Sequence, residues 1–329
     1  MKRIFALILI CVLMLSGCAG QGSSHQVTYL NLFDTVTTIL SGSGTESDFQ
    51  QQAQRIYQQL HTYHQLFDIY NDYPGVNNLK TVNDQAGIQP VQVDLAVIQL
   101  LKACKEYYAL TGGKVNVAMG SVLRLWHEAR KTGVVPEQEA LENAAAHTDF
   151  ENVILNEADC TVFITDPAQS LDVGAIAKGW AAQRVAENAP AGMLISVGGN
   201  VCVTGPKTEA GDPWVVGIQD PDGAEAYLHT LRVSGGAVVT SGDYQRYFTA
   251  NGQNYHHIID PDTQMPAAYW RSITVICQDS ALADALSTAL FVLPLDQGRA
   301  LAEKCGVQVL WVDQAGEETM TPGFSALLQ

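Results

Sequence analysis

The spacing of apolar residues in the first part of the chain predicts one strand followed by a long helix. Residues Val27 to Leu40 include the β-branched run Thr35 to Ile39, which is typical of a strand. A polar turn over residues 42–48 follows, with Thr45 or Ser47 as the cap of a helix. The apolar positions of this helix recur every three or four residues, at Phe49, Ala53, Ile56, Leu60, Tyr63 and Phe67.

A second helix is predicted to begin after Asp94, which is a typical N-terminal cap. Ile98, Leu101 and Leu110 would face inward, and the pair Gly112-Gly113 would end the helix. Further along, residues 153–155 and 161–165 flank a polar turn and predict a hairpin.

The rest of the chain predicts strands in clusters, separated by single helices. One helix is expected from Ala175 to about Asn188 and another from Ser280 to about Val292, with Pro294 opening a third. Strands are expected at residues 193–197, 201–204, 214–218, 227–233, 237–240, 273–277 and 307–312. Because strands and helices are clustered and do not alternate strictly, the pattern favours an α+β fold in one domain over a doubly wound sheet.

The first residues have the pattern of an export signal. Lys2 and Arg3 precede an apolar run that ends at Leu15 and is too short for a comfortable membrane span. The following Ser16-Gly17-Cys18 is typical of a bacterial lipobox, in which Cys18 is lipidated; the alternative is an ordinary secretory signal with a chance cysteine. We expect a signal peptide over residues 1–17, the lipidated cysteine and a flexible tether over 18–30, and the active domain over 31–329. The protein would then be lipid-anchored at the extracytoplasmic face of the cell membrane.

Charge excludes some partners. The chain has a formal net charge of −16 at pH 7, and loss of residues 1–17 with their two basic side chains makes it −18. Such a charge repels nucleic acid and anionic lipid, so a phosphate-bearing ligand must be neutralised locally by a metal or a few lysines.

The cysteines beyond Cys18 are odd in number and form no CxxC pair, which favours buried free thiols. His61 and His64 share one helix face and are expected at the surface.

The segment Leu171 to Gly179 carries two glycines, an acid and a lysine where a strand gives way to a helix. Small residues at such a junction let a ligand approach the backbone, and the first turn of a helix leaves N–H groups free for phosphate. Lys178 would neutralise a phosphate if it faces the turn and would be a surface lysine if it does not. Asp172 would bind a base or ring edge, or cap the turn.

Asp284 and Thr288 are four residues apart on a predicted helix and so share one face. A carboxylate and a hydroxyl on one face can reach one ion, and ligand sets made only of oxygen favour Mg²⁺. A carbonyl of the Gly174-Ala175 turn would supply a third ligand. The alternative is an acid near a helix start and a threonine that bonds back to its own helix. His256-His257 is a candidate general base, because imidazole titrates near neutrality.

These segments carry a resemblance to a known family. From about Asn31 to Val312, the chain resembles the bacterial FAD:protein FMN transferases, called the ApbE or thiamine-biosynthesis lipoprotein family. The likeness rests on five motifs in order: Leu171-Asp172-Val173-Gly174-Ala175-Ile176-Ala177-Lys178-Gly179, Gly198-Gly199-Asn200, Ser241-Gly242-Asp243-Tyr244, His257-Ile258-Ile259-Asp260-Pro261, and Asp284 to Thr288.

The resemblance implies a single T-fold-related α+β domain with mixed or antiparallel sheets and flanking helices. It implies transfer of FMN from FAD to a Ser or Thr hydroxyl of an acceptor redox protein, with Mg²⁺ on the diphosphate and release of AMP. Ala175, through its carbonyl, Asp284 and Thr288 would bind the metal, and His257 would activate the acceptor hydroxyl. Contacts to the flavin nucleotide would come from Phe33, Tyr70, Lys114, Val115, Asn116, Asp172, Lys178 and Ile258.

Two other activities remain open. An FAD pyrophosphatase would use the same metal with water as the acceptor and give FMN and AMP. A non-catalytic flavin-binding lipoprotein would only hold or deliver FAD. The chain also departs from the family pattern: Asn116 stands where an aspartate is common, Trp180 where tyrosine is usual, and Gln264 where glycine is typical.

Overall fold

The computed structural model describes residues 24–329. In chain order, its elements are β1 (His25–Leu32), β2 (Thr35–Ser41), α1 (Glu46–Phe67), α2 (Leu79–Asp84), β3 (Val91–Gln92), α3 (Leu95–Leu110), α4 (Gly120–Thr132), α5 (Gln138–Ala145), a 3₁₀ turn (Phe150–Asn152), β4 (Val153–Asn156), β5 (Thr161–Ile164), α6 (Ala177–Ala186), β6 (Met193–Val197), β7 (Asn200–Val203), β8 (Trp214–Gln219), β9 (Tyr227–Val233), β10 (Gly236–Gly242), β11 (Tyr247–Ala250), β12 (Gln253–His256), β13 (Trp270–Cys277), α7 (Ser280–Phe291), α8 (Leu295–Cys305), β14 (Gln308–Asp313), β15 (Glu318–Met320) and α9 (Pro322–Ser325).

An eight-stranded antiparallel sheet forms the centre of the fold, in the order β1-β2-β6-β7-β10-β13-β14-β15. Successive side chains of a strand face opposite sides of the sheet. On β14, Val309 and Trp311 therefore join the core beneath the helices, while Leu310 and Val312 join a second core on the other face. Both faces are covered, so the sheet is buried on its two sides.

The larger core lies between this sheet and helices α1, α3, α6 and α7. Fully buried side chains such as Leu60, Leu101 and Phe291 belong to it, and each stabilises the fold by about 1.5–3 kcal/mol relative to leaving it exposed. The opposite face is covered by the β8–β9 hairpin and by Phe324 of α9.

A third apolar cluster holds α4 and α5 against the β11–β12 hairpin. This hairpin turns through Asn251 and Gly252, both with positive φ (52° and 78°), which is the two-residue turn that Asn-Gly favours. Trp126 of α4 stacks on Tyr255 of β12, and Tyr255 stacks on Phe248 of β11. The stack fixes the hairpin beside α4.

The α+β fold in one domain with antiparallel sheets is confirmed, and most predicted elements lie within a few residues of their expected bounds. Thr45 and Asp94 cap α1 and α3 through their side chains, as expected. Helix α6 begins at Ala177, later than the expected Ala175. His61 and His64 were expected at the surface, but both are half-buried. The Nδ1 of His64 accepts the N–H of Phe33.

The segment from Val27 to Leu40 was expected to be one strand and is a hairpin. Phe33 and Asp34 have φ of 51° and 52°, which reverses the chain between β1 and β2. Since β1 begins at His25 and pairs with β2, the folded domain includes residues 25–30, which the expected tether had contained.

The expected signal peptide and Cys18 lie outside the described residues. Within residues 24–329, no helix is long and apolar enough to cross a membrane. The cysteines at 104, 160, 202, 277 and 305 are free thiols, and Cys104 and Cys202 are buried.

Candidate functional site

The crossing of α6 and α7 is the closest helix contact near the candidate residues. A Cβ placed on Gly179 of α6 would lie 2.4 Å from Cβ of Asp284 and 2.4 Å from the carbonyl oxygen of Ser280, both on α7. Only glycine lets the two backbones approach this far. The glycine of the sequence motif therefore serves helix packing, and it brings two of the five motifs into contact.

Asp284 accepts a hydrogen bond from the backbone of α6. Its Oδ2 accepts the N–H of Gly179 at 2.8 Å. In a regular α-helix this N–H would point at the carbonyl four residues earlier, which is that of Ala175. The Ala175 carbonyl is thereby left without its usual helical partner at the first turn of α6.

Lys178 joins the turn before α6 to the acid of α7. Its Nζ donates to the carbonyl of Gly174 at 3.2 Å and lies 3.7 Å from Oδ2 of Asp284. The side chain is 22% exposed, so Lys178 faces the turn and is not a surface lysine. The Gly174-Ala175 turn and the Asp284 side of α7, which the sequence assigned to one site, therefore lie together in the fold.

The Asp284 carboxyl is almost fully buried, at 4% exposure. Burial raises its pKa, while Lys178, the Gly179 N–H and the side chain of Asn200 act in the opposite direction. Asn200 comes from the Gly198-Gly199-Asn200 motif, and its buried Nδ2 has no hydrogen-bond partner at proper distance and angle. Buried polar groups are normally hydrogen-bonded. Because the buried carboxyl has few donors and the amide beside it has none, a polar partner is missing at this place.

Thr288 is half-buried on the same face of α7. The carbonyl of Asp284, to which its hydroxyl would bond back, instead accepts the hydroxyl of Ser287 at 2.9 Å, and the Thr288 hydroxyl makes no hydrogen bond within residues 24–329. Ser287 also bonds Ser241 at 2.8 Å, which brings the Ser241-Gly242-Asp243-Tyr244 motif to α7. The structure therefore contradicts the alternative in which the Thr288 hydroxyl bonds back to its own helix.

The oxygen atoms of this junction fit a hard cation. The Asp284 carboxylate, the Thr288 hydroxyl and the Ala175 carbonyl are oxygen donors of the kind that Mg²⁺ takes, and two of the three lack another partner. Within residues 24–329, no three His, Cys, Asp or Glu side chains gather as a metal-ligand cluster. Any metal held here would therefore depend on one carboxylate with neutral oxygens.

Asp172 lies between the turn and α4. Its Oδ1 accepts the N–H of Gly174 at 2.9 Å, and its Oδ2 is 3.7 Å from Nε2 of His127. The Nδ1 of His127 in turn bonds the hydroxyl of Tyr70 at 2.9 Å. Burial first, and then the charge of Asp172, raise the pKa of Tyr70 to about 12, so this phenol stays neutral. The ring of Tyr70 is 56% exposed and is available for stacking.

The other expected nucleotide contacts differ in how free their side chains are. Phe33 is half-buried with its ring edge-on to His64, at 5.6 Å between ring centres. Lys114 is paired with Asp262 at 2.5 Å and with Asp260 at 3.6 Å, and these charges raise its pKa although burial opposes them. Val115 and Ile258 are buried, so each can offer a ligand little beyond its backbone.

The side chain of Asn116 is hydrogen-bonded within its own part of the chain. Its amide donates to the carbonyl of Thr148 at 2.8 Å, and its Oδ1 accepts the N–H of Ala118 at 2.9 Å. Gln264, which stands where the family has glycine, adopts a φ of 57° in the left-handed region that favours glycine. Both departures are accommodated locally and neither touches the oxygens at α7.

The adjacent histidines of the fourth motif have different roles. His256 is buried: its Nε2 donates to the carbonyl of Ala267 at 2.8 Å, and its Nδ1 accepts the N–H of Ile258 at 3.2 Å. His257 uses only Nδ1, which must carry the proton because it donates to the carbonyl of Arg246 at 3.2 Å. The Nε2 of His257 is left as a free acceptor, so His257 is the candidate base and His256 is structural.

The His257 ring is open to solvent at the surface, yet it lies among densely packed protein atoms. This desolvation is the largest cause that lowers its pKa, and the positive charges of Arg246 and Lys178 lower it further. The imidazole is therefore neutral at pH 7, the state in which it can accept a proton.

His257 also lines a cleft that the sequence did not reveal. One face of α4 forms one wall and the β11–β12 hairpin forms the other, around a small space that is open to solvent and has a cavity volume of about 20 Å³. We call this space the α4–hairpin cleft; its lining residues are Leu123, Trp126, His127, Arg130, Arg246, Phe248, Tyr255, His256 and His257. Two signals were present in the sequence: Val122, Trp126 and Ala129 at helical spacing, and Asn251-Gly252 between alternating residues.

The structure superimposes on the crystal structure of the ApbE protein from Thermotoga maritima with a TM-score of 0.84 at 29% identity, covering 93% of this chain and 100% of that one. The fold is therefore that of an α+β protein of the ApbE class.

Sequence relatives agree. The model of the ApbE family matches residues 25–311. The FAD:protein FMN transferase of Klebsiella pneumoniae is 34% identical over 259 residues, covering 75% of this chain and 80% of that protein. The enzyme of the same name from Treponema pallidum is 36% identical over 255 residues, covering 71% and 70%. The chain belongs to the ApbE family and is an enzyme, which confirms the resemblance.

Proposed function

We propose that this chain is an FAD:protein FMN transferase that moves FMN from FAD to a Ser or Thr hydroxyl of an acceptor redox protein, with Mg²⁺ and release of AMP. The observation that carries the proposal is the α6–α7 junction: Gly179 donates to Asp284 and leaves the Ala175 carbonyl unpaired, beside Lys178. A site for a diphosphate with its cation needs both oxygen ligands and a nearby positive charge, and the junction supplies both.

Asp284, Thr288 and the carbonyl of Ala175 would hold the Mg²⁺. When bound, the ion supplies Lewis-acid polarisation of the diphosphate oxygens and orients the leaving phosphate. Such help is needed in a chain with a net charge of −16, where a dinucleotide would otherwise be repelled.

The chain's own residues bind and orient the substrate. Lys178 offers its ammonium group to the diphosphate, and the exposed ring of Tyr70 offers a surface on which an aromatic ring can stack. Asp172 and His127 fix the turn and the Tyr70 hydroxyl. Phosphoryl-type transfer asks mainly for positioning and charge stabilisation, so few protein groups need to react.

His257 would take the proton. The acceptor oxygen attacks the phosphorus of the FMN half, a new P–O bond forms, and the P–O bond to AMP breaks. The hydroxyl proton moves to Nε2 of His257, and AMP leaves with the electron pair of the broken bond. Nδ1 remains bonded to the Arg246 carbonyl, which keeps the ring in the tautomer that the step needs.

We further propose that the mature protein is exported and held at the membrane through a lipidated Cys18. The support is the order of charged start, apolar run and Ser16-Gly17-Cys18 in the sequence. Globomycin, which blocks lipoprotein signal cleavage, should then leave the precursor uncut, whereas Cys18→Ser should remove the lipid and release the protein from membranes.

The transferase is tested by incubating the protein with FAD, Mg²⁺ and a candidate redox acceptor, and then weighing the acceptor by mass spectrometry. We expect a mass gain of one FMN and stoichiometric AMP, both lost when Mg²⁺ is chelated. Asp284→Asn should abolish the gain, while Asp296→Asn on the exposed surface of α8 should keep it.

Other outcomes identify the rival activities. Free FMN and AMP without a mass gain on any acceptor would establish a pyrophosphatase. Unchanged FAD after prolonged incubation with Mg²⁺ would establish a binding protein. Full activity of Asp284→Asn would refute the metal assignment while leaving the transferase in place.

A further inference from the structure

The reversal between β1 and β2 is made of two residues that rarely form such a turn. Phe33 and Asp34 both have positive φ, of 51° and 52°, and a two-residue turn of this kind favours asparagine and glycine. A bulky aromatic residue in the left-handed region costs conformational free energy, so it persists only where its surroundings hold it. These surroundings are α1 and the segment that follows it.

His64 of α1 holds the turn through the backbone of Phe33. Its Nδ1 accepts the Phe33 N–H at 3.2 Å, and its ring lies edge-on to the Phe33 ring. Because Nδ1 accepts, the proton of the neutral ring is on Nε2, which lies 3.4 Å from the hydroxyl of Tyr73. Burial lowers the pKa of His64, although the charges of Asp68 and Asp34 oppose it, so the ring is neutral at pH 7.

The hydrogen bonds continue from Tyr73 to the loop that carries Tyr70. The Tyr73 hydroxyl donates to Oδ2 of Asp68 at 2.7 Å, and Oδ1 of Asp68 accepts the N–H of Tyr70 at 2.6 Å. Burial alone would raise the pKa of Asp68, but the hydrogen bonds that it accepts lower it by more, so the carboxylate is charged at pH 7. One connected set of hydrogen bonds therefore joins the backbone of Phe33 to the backbone of Tyr70.

We propose that His64 and Tyr73 are positioning residues that set the rings of Phe33 and Tyr70 relative to each other for the flavin nucleotide. This inference rests on the proposed function, in which both rings contact FAD. The Tyr70 ring is 56% exposed and Phe33 is half-buried, so each keeps surface for a ligand. Two rings on separate loops would lose conformational freedom when a ligand ordered them, and hydrogen bonds that order them beforehand reduce this cost of binding.

The first experiment compares His64→Ala with His64→Asn. The asparagine side-chain oxygen can accept the Phe33 N–H in place of Nδ1, whereas alanine offers no acceptor. The Kd for FAD is measured by flavin fluorescence, and KM and kcat are measured for Mg²⁺-dependent AMP release. The matched control is His61→Ala, because His61 is half-buried on the same helix and forms no hydrogen bond in the described part of the chain, residues 24–329.

We expect His64→Ala to raise Kd and KM for FAD about three- to tenfold, the effect of one lost hydrogen bond, with kcat changed by less than about twofold. His64→Asn should recover most of the affinity, and His61→Ala should bind FAD as the wild-type protein does. Tyr73→Phe keeps the ring and loses the hydroxyl, so it should weaken FAD binding in the same direction. Because its core packing is unchanged, Tyr73→Phe still tests the proposal if His64→Ala does not fold.

A double-mutant cycle then asks whether His64 acts through the Phe33 ring. Phe33→Ala removes the ring and keeps the N–H that His64 accepts. In the Phe33→Ala background, His64→Ala should therefore change the Kd for FAD by less than about twofold, because the ring that it positions is absent. A residue that only stabilised the hairpin would give the same factor in both backgrounds.

Unchanged FAD affinity in folded His64→Ala and Tyr73→Phe would overturn the inference and leave these residues a purely structural role. Equal effects of His64→Ala with and without the Phe33 ring would overturn it as well, as would a loss confined to kcat. If the wild-type protein itself binds no FAD, the proposed function fails, and this result is distinct from any difference between the variants.

Discussion

The α6–α7 junction and the α4–hairpin cleft are built in opposite ways. At the junction, the Asp284 carboxyl is buried and held by the Gly179 N–H, and a glycine is required for the helices to meet. In the cleft, Arg130 and Arg246 are exposed and unpaired, and His257 keeps one nitrogen free. The junction is thus a closely packed, buried arrangement, which under the proposed function would hold the metal and the diphosphate, whereas the cleft is open to solvent.

His257→Gln gives the largest expected effect, because it removes the proposed base and leaves the junction unchanged. FMN transfer should fall about 10²–10⁴-fold, while FAD binding, measured by flavin fluorescence, stays near the wild-type value. The neighbouring His256→Gln is the control: it breaks two structural hydrogen bonds and should lower the free energy of unfolding by about 1–3 kcal/mol. A folded His256→Gln enzyme with the greater loss of transfer would reverse the two roles.

Gly179→Ala should damage the junction and not the cleft. The added methyl group would lie 2.4 Å from both Asp284 and the Ser280 carbonyl, so α6 and α7 must separate. We expect the free energy of unfolding, measured in urea, to fall by about 1–3 kcal/mol, together with a loss of Mg²⁺-dependent AMP release. Gly235→Ala is the control, since nothing lies within 4 Å of its added methyl group. Equal stability of the two variants would contradict the close crossing.

Binding of FAD should couple the two regions through the pKa of His257. Desolvation lowers this pKa below its usual value of about 6.5, and the charges of Arg246 and Lys178 lower it further. A bound diphosphate offsets positive charge, so the pKa should rise on binding. NMR titration of the ring, with His256→Gln to assign the signal, measures the shift; a lower pKa in the complex would exclude a diphosphate near His257.

The lowered pKa of His257 also decides how the stability of the free protein changes with pH. Below pH of about 6.5 the unfolded chain binds a proton at this histidine more readily than the folded one. His257 therefore contributes to a fall in stability as the pH drops below that value, and the contribution should be absent in His257→Gln.

Gln264→Gly should have the smallest effect of the set. Glycine relieves the left-handed φ of 57°, but the change also removes the side-chain bonds to the carbonyls of Pro261 and Asp262. These terms oppose each other, so the free energy of unfolding should change by less than about 1 kcal/mol. Thr263→Gly, where φ is not positive, should be clearly more destabilising. A larger loss in Gln264→Gly would show that the amide contacts dominate this loop.

The sequence allowed good prediction wherever the signal was local. Periodic apolar residues and side-chain caps located α1 and α3, and the i, i+4 spacing placed Asp284 and Thr288 on one face. The reversal at Phe33-Asp34 was missed, because neither residue is a glycine and strand-favouring residues stand on both sides of it. The diverted N–H of Gly179 depends on a residue over one hundred positions away, which no local pattern contains. The missing partners of Arg130 and Arg246 are likewise a property of the folded chain.

The Asn251-Gly252 turn has a consequence for how this protein can vary. Only two residues connect β11 to β12. The number of residues between this turn and the histidine pair therefore decides which of the two rings is buried and which is exposed with a free nitrogen. Deleting or adding a single residue on the β12 side would exchange the positions of the two imidazoles and leave the buried one, now at the surface, without its two hydrogen bonds. Homologues that lengthen this strand should therefore do so in steps of two, or compensate with a bulge.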